Sequence, residues 1–229
     1  MVVELSPAVQ DYVKAVYALQ GPEVAPPSEG TASTTAIAQR LNVSAASASN
    51  MLKKLDGMGL VDYKPYRGAV LTDAGRKIAL EVVRHHRLIE TYLAEALGVP
   101  WDKVHAEAEV LEHALSEELE ERIAAHLGHP TQDPHGHPIP TKDGTMPVDR
   151  APRLMRLWAV DPGESVAVDH VPDAEADALR YLAAAGIVPG ARIEVIERGP
   201  VSGPLFVRVD GSPDSTALSK ELAEGLWVF

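Results

Sequence analysis

Apolar side chains recur every three to four residues through the first half of the chain, the spacing of amphipathic α-helices. The first predicted helix begins at Ser6 and Pro7, because serine caps helices and proline is tolerated in their first turn. A loop rich in Pro, Gly and Ser is predicted to follow at residues 21–33. The apolar face of the first helix comprises Val9, Tyr12, Val13, Val16, Tyr17 and Leu19.

Two short helices joined by a tight turn are predicted next, within residues 34–57. The chain turns at Asn42-Val43, and Ser44 caps the second helix. The following stretch alternates around Pro65 and Gly68, as the strands of a β-hairpin do. A helix-turn-helix followed by such a hairpin, or wing, is typical of DNA-binding proteins.

The second of these helices has side chains suited to a DNA groove. Small hydroxyls allow close approach to the bases, Asn50 has the groups that pair with adenine, and lysines reach phosphates. The wing tip adds an aromatic ring and a cation. The predicted DNA-binding residues are Ser44, Ser47, Ser49, Asn50, Lys53, Lys54, Tyr66 and Arg67.

Three further helices are predicted from about Ala74 to Leu97, from Pro100-Trp101, and from Ser116. The second contains HAEAEVLEH, residues 105–113. On a helix, His105, Glu109, Glu112 and His113 fall within an arc of about 100°. Imidazoles and carboxylates on one stripe suit a metal ion, although a solvated polar face is the simpler interpretation of such a helix by itself. His86 and Glu90 form a second ligand pair at i, i+4.

After residue 127 the sequence no longer has the long helical periodicity of the first half. Residues 128–150 contain five prolines and three histidines. His129, His135 and His137 could bind metal, but we favour an irregular linker whose histidines are incidental. Beyond residue 150, short β-type runs recur: ESVAVDHV, ARIEVIE, PLFVRVD and GLWVF. A short helix is predicted within DAEADALRYLAAAG, between the first and second of these β-type runs. A small, mostly β barrel is predicted here.

Composition narrows the possible chemistry. The 229 residues include no cysteine, so disulfides and thiolate metal sites are excluded, and any metal must be held by nitrogen and oxygen. The net charge of −12 is unevenly distributed: residues 1–80 carry eight Lys and Arg against seven Asp and Glu, whereas the rest is acidic. Only the first segment is therefore suited to contact phosphates.

With no signal peptide or membrane span evident, we expect a cytoplasmic protein.

Several ordered motifs together resemble the diphtheria-toxin-repressor and manganese-transport-regulator family of metal-dependent repressors. They are DYVKAVYAL, the helix-turn-helix, YKPYRGAVLTDAGRKIA, HHRLIE, PWDKVHAEAEVLEH, LSEELEERI, PHGHPIP and AAAGIVPGARIEV. The resemblance implies a mainly α protein with a winged helix-turn-helix domain (residues 1–73), a helical metal-binding and dimerisation domain ending in a proline-rich linker (74–149), and a small SH3-like, FeoA-like β-barrel (150–229).

The resemblance also implies two metal sites. The main site corresponds to Asp11, Glu109, Glu112 and His113. The ancillary site corresponds to His86, Glu90, His105 and Glu175; the family's other ligand from the SH3-like domain falls on Ala178, for which Asp177 is the nearest substitute.

Carboxylates at the main site favour Mn²⁺ as co-repressor, with Fe²⁺ as the alternative; Zn²⁺, Co²⁺ or Cd²⁺ are expected to bind in vitro. The expected partners are double-stranded DNA with a palindromic operator and a second copy of the chain, with no membrane and no small-molecule substrate.

Two other functions compete with a metal-dependent repressor. A metallohydrolase needs an open coordination position and usually a general base, but the sequence has no HExxH motif and no evident Ser/His/Asp order. A winged-helix regulator with another effector would leave the acidic stripe merely solvated. We therefore predict a repressor and not an enzyme.

Overall fold

The computed structural model describes residues 5–21, 30–147, 154–173, 175–201 and 203–229. Most of the loop predicted at 21–33 and the predicted domain boundary near residue 149 lie outside these ranges. The chain forms two compact units, one made of Met1–His85 with Pro140–Met146 and the other of His86–Ile139 with Pro147–Phe229.

The first unit contains the predicted helix-turn-helix and wing. Ser6 is the N-cap of the first helix, and the Ser44 hydroxyl accepts a hydrogen bond from Ser47 N at 3.1 Å at the start of the third. The wing strands pair antiparallel, with Lys64 opposite Gly68. The elements are α1 (Pro7–Leu19), α2 (Thr34–Arg40), α3 (Ala45–Gly57), β1 (Val61–Lys64) and β2 (Gly68–Leu71).

The 23-residue helix α4 (Asp73–Glu95) supplies residues to both units. Its N-terminal half buries Ala79, Leu80 and Val83 in the same apolar core as α1 and α3. The compact first unit therefore includes α4 as far as His85.

The helical part of the second unit consists of the rest of α4, α5 (Trp101–Leu111) and α6 (Glu117–His126). Helix α5 ends at Leu111, with Glu112 as its C-cap, so His113 lies in a turn instead of on the predicted helix. The next helix, α6, begins after this turn. Ser116 caps it, because its hydroxyl accepts a hydrogen bond from Leu119 N at 3.3 Å.

The C-terminal part is a six-stranded sheet in the order β3-β8-β4-β5-β6-β7. Each of the four β-type runs of the sequence contains a strand, and the predicted intervening helix is α7 (Ala176–Ala184). The short elements β3, β7 and α8 have too few residues for periodicity to reveal them. The strands and last helix are β3 (Met155–Arg156), β4 (Ser165–His170), β5 (Arg192–Arg198), β6 (Leu205–Val209), β7 (Ser215–Leu218), α8 (Lys220–Gly225) and β8 (Trp227–Val228).

A separate apolar core lies beneath this sheet and includes Leu179, Ile193 and Leu205. Trp101, at the start of α5, packs against the edge of that core. Among the described helices, none has both the length and the apolar character that a membrane span requires.

Candidate metal centre and DNA-binding face

Helices α4 and α5 bring together the histidines and the glutamate predicted for the ancillary site. His86 Nε2 lies 2.9 Å from Glu90 Oε1 and 3.1 Å from His105 Nδ1. His105 Nδ1 is also 3.1 Å from the same Glu90 oxygen. His86 and Glu90 are one helical turn apart, so they face α5 together. Three nitrogen and oxygen donors thus converge on one point.

Glu90 is the centre of this group, with its side chain fully buried. Burial by itself would raise the pKa of Glu90, but the interactions of its carboxylate with the neighbouring His105, His135 and His86 outweigh it and hold that pKa well below its usual range. The buried residue is therefore a carboxylate at neutral pH, which is the form that ligates a cation.

Residues predicted for the main site lie at the end of α5. The Glu112 side chain is fully buried, with Oε2 at 2.5 Å from His86 Nδ1 and Oε1 at 3.6 Å from His113 Nε2. Glu109 is nearly half exposed, with Oε1 at 3.8 Å from His105 Nε2. The fourth predicted ligand, Asp11, is a partly buried residue of α1 in the first unit.

In the C-terminal domain, a carboxylate that the sequence does not predict as a ligand lies near the histidines. Glu175 is the exposed N-cap of α7, and Asp177 is 93% exposed and paired with Arg180. Two residues before Glu175, Asp173 Oδ2 lies 3.9 Å from His105 Nδ1 and 3.7 Å from His137 Nδ1. Asp173 is therefore a carboxylate of this domain that lies near both His105 and His137.

The proline-rich segment, for which the sequence favoured a linker with incidental histidines, contains three further candidate ligands, of which Asp133 was not predicted. Asp133, His135 and His137 are all buried, and their ligand atoms lie within 4.8 Å of one another. His129 of the same segment is exposed. The one signal in the sequence is the Asp-x-His-x-His spacing, which the surrounding prolines obscured.

The predicted DNA-binding residues form a surface of the first unit. The side chains of Lys53, Lys54, Tyr66 and Arg67 are exposed, and Tyr66 stands at the wing tip with a positive φ of 66°. A groove between α2, α3 and the wing is lined in part by Ser49, Lys53 and Tyr66. Ser44, Ser47 and Asn50 are exposed along the first turns of α3, and Ser49 is half-buried.

An apolar groove lies on the helical surface of the second unit. Three of its large apolar side chains are substantially exposed: Leu97 (60%), Leu111 (44%) and Leu119 (49%). Exposed apolar surface of this kind marks an interaction site. Its other lining residues are Ile89, Tyr92, Leu93, Ala114, Leu115 and Ile123.

Comparison with known proteins agrees with this architecture. Residues 4–69 match the N-terminal DNA-binding domain of the iron-dependent repressors, residues 72–141 their metal-binding and dimerisation domain, and residues 155–228 the FeoA domain. These matches confirm the fold class, the helical dimerisation domain and the small C-terminal β domain.

Similar proteins match over nearly the whole chain. The iron-dependent repressor IdeR of Mycobacterium leprae (strain TN) is 33% identical, with 98% of both chains covered. The solved structure of a manganese-dependent transcriptional repressor in complex with manganese has a TM-score of 0.85 and 42% identity, covering 96% of this chain and 99% of its own. ScaR with bound Cd²⁺ has a TM-score of 0.80 and 30% identity, covering 96% and 98%. The chain therefore belongs to the iron-dependent repressor family of metal-dependent, DNA-binding transcriptional repressors, which is not a family of enzymes.

Proposed function

We propose that this protein is a manganese-dependent repressor of genes for metal-ion uptake and homeostasis. The observation that carries this proposal is the donor set. The proposed main-site ligands Asp11, Glu109, Glu112 and His113 offer three carboxylates and one imidazole, and the chain has no cysteine to contribute a thiolate. Hard oxygen donors suit Mn²⁺, whereas sulfur donors favour softer metals.

The proposed ancillary site combines His86, Glu90 and His105 with Asp173. The convergence of the first three within 3.1 Å of one another supports it. Asp173 replaces the sequence-predicted Glu175 and Asp177 in this proposal, since its carboxylate faces His105 and His137. The charge of the buried Glu90 carboxylate supplies attraction for a cation at low dielectric.

Metal controls DNA binding in this proposal through one residue outside the second unit. Asp11 belongs to α1 of the DNA-binding unit, whereas Glu109, Glu112 and His113 belong to the helical domain. Three carboxylates repel one another without a cation, and a divalent ion supplies the opposite charge that holds them together. Metal binding would thereby fix the DNA-binding unit relative to the dimerisation domain and favour the DNA-binding state.

The proposed active form is a cytoplasmic homodimer on a palindromic operator. The apolar groove lined by Leu97, Leu111 and Leu119 supports the dimer, and a two-fold dimer reads two half-sites related by the same symmetry. The exposed lysines of α3 and Arg67 of the wing are the groups available for phosphates.

The decisive experiment is an operator-binding titration with different metals. Fluorescence anisotropy of a labelled metal-transporter promoter would be followed with Mn²⁺, anaerobic Fe²⁺ and chelator. We expect tight binding with Mn²⁺ at lower free concentration than with Fe²⁺, and release by chelator. The reverse order would make the protein an iron-dependent repressor, and binding unaffected by either metal would refute metal control.

A further inference from the structure

Four of the buried side-chain atoms in the second unit that lack a hydrogen-bond partner among the described residues belong to Glu90 and to the segment 133–137. They are Glu90 Oε2, Asp133 Oδ2, His135 Nδ1 and His137 Nδ1. Buried polar groups are almost always paired, because desolvation without a partner costs free energy. A group of four in one place therefore indicates a ligand.

These atoms face one another. His137 Nδ1 lies 3.4 Å from Asp133 Oδ2, and His135 Nδ1 lies 3.8 Å from Glu90 Oε2. Both separations exceed the 2.7–3.2 Å of an ordinary N–H···O hydrogen bond. Two donors that share an ion at about 2.1 Å lie about 3–3.5 Å apart, so small adjustments would let all of these atoms reach one cation.

The protein holds the donors of this segment in position. Asp133 Oδ1 accepts hydrogen bonds from the backbone N–H groups of His135 (2.8 Å) and His137 (3.0 Å), which leaves Oδ2 for another partner. His135 Nε2 lies 2.9 Å from the carbonyl oxygen of Trp101. Because a carbonyl only accepts, Nε2 carries a proton, and Nδ1 is the ring atom directed toward Glu90.

Two carboxylates connect these atoms to the proposed ancillary site. Glu90 directs Oε1 to His86 and His105 and Oε2 to His135. Asp173 Oδ2 lies between His105 and His137. Each carboxylate thus faces histidines on either side.

We propose that this array is a two-ion centre in which Glu90 and Asp173 bridge two divalent cations of the manganese type. One ion is held by His86 and His105, and the other by Asp133, His135 and His137. This inference rests on the proposed ancillary site and adds a second ion beside it. Nitrogen and oxygen donors without sulfur suit Mn²⁺, and carboxylates bridge paired ions about 3.5–4 Å apart in known two-metal sites.

Arg87 is a positive group beside this array. Its Nε lies 3.7 Å from Asp133 Oδ2, and Nη1 donates to the Pro138 carbonyl oxygen. The guanidinium balances part of the charge of Asp133, while Glu90 and Asp173 remain for the cations. The Asp173 side chain is 30% exposed, so the array has an opening to solvent through which ions can enter.

The test counts manganese in protein whose proposed main site is disabled by Asp11→Ala and His113→Ala. Isothermal titration calorimetry and metal analysis of the dialysed, Mn²⁺-loaded chain should give about two ions per protomer. Electron paramagnetic resonance should show an exchange-coupled pair, with hyperfine spacing half that of isolated Mn²⁺. Adding His137→Ala should reduce the count to about one and convert the signal to that of isolated Mn²⁺.

Two further variants keep the result interpretable. Asp133→Asn preserves the shape of the loop and should also lose the second ion and the coupled signal. His129→Asn, at an exposed histidine with a φ of 57° that asparagine tolerates, should retain both. Circular dichroism checks that each variant is folded.

A single ion in the Asp11/His113 background, or two uncoupled ions unaffected by His137→Ala and Asp133→Asn, would overturn the two-ion centre. Neither result would affect the operator titration of the wild-type chain, which tests the proposed repressor function separately.

Discussion

His86 and Glu112 are joined by a short contact that links the two proposed metal sites. His86 Nδ1 lies 2.5 Å from Glu112 Oε2, while the other ring nitrogen faces Glu90 and His105. Both side chains are buried. An ion that takes the Nε2 lone pair leaves the ring proton on Nδ1, which then donates to Glu112. This hydrogen bond would hold Glu112 with Oε1 on the side of His113, where Oε1 lies 3.6 Å from His113 Nε2.

The first prediction is that filling the ancillary site strengthens metal binding at the main site. His105→Ala removes an ancillary ligand without touching the His86–Glu112 contact. We expect Mn²⁺ affinity at the main site to fall by roughly fivefold or more, the usual size of coupling between sites. Calorimetric titration of the variant measures this, with Glu107→Ala, at an exposed residue of the same helix, as the control. Equal main-site affinity in the two variants would show that the sites are independent.

The second prediction concerns Asp11, the proposed ligand from the DNA-binding unit. Asp11→Ala should keep the fold and the dimer, because the residue is only partly buried and lies outside the apolar core of its unit. It should lose Mn²⁺-dependent operator binding, since no carboxylate would then tie α1 to the shared ion. Circular dichroism and light scattering check fold and dimer, and anisotropy checks operator binding. Full metal-dependent binding by the variant would contradict the proposed switch.

The sequence predicted the candidate ligands whose spacing along the chain is local. His86 and Glu90 are one turn apart on α4, and His105 and Glu109 one turn apart on α5, so helical periodicity alone puts each pair on one face. Candidate metal donors on such pairs can therefore be predicted from the sequence before the tertiary structure is known. The packing of α4 against α5, which joins the pairs, was implied only by the family resemblance.

Ligands outside regular helices could not be predicted in the same way. Asp133, His135 and His137 lie in a segment whose prolines favour an irregular chain, and only the tertiary structure shows that it is buried beside Glu90. Glu175 was implied by the family resemblance, whereas the position of Asp173 near His105 and His137 depends on tertiary structure and has no local signal in the sequence.

The third prediction is that the apolar groove of the second unit holds the dimer together. Leu119→Lys places a charge on a side chain that is 49% exposed in the protomer, so we expect little loss of protomer stability. In a dimer the same lysine would be buried in an apolar contact at high cost. Sedimentation should therefore show a monomer at micromolar concentration, with weakened operator binding. Val201→Lys, at a 99% exposed residue of the C-terminal domain, should stay dimeric. A Leu119→Lys dimer as stable as the wild type would place the interface elsewhere.

The fourth prediction concerns the cations that bind DNA. Lys54 is exposed on α3, so Lys54→Ala should weaken binding to operator and unrelated DNA alike, because an interaction with phosphate carries no sequence information. The slope of log affinity against log salt should become shallower by roughly 0.9 for each phosphate that the variant no longer neutralises.

Asn50→Ala should instead reduce discrimination between operator and altered operator while leaving that slope unchanged, since its amide is placed to pair with a base. Lys220→Ala, at an exposed lysine of the C-terminal domain paired with Glu224, is the matched control and should alter neither property. If Lys54→Ala left the salt dependence unchanged, or Asn50→Ala changed only that dependence, α3 would not be oriented in the groove as proposed.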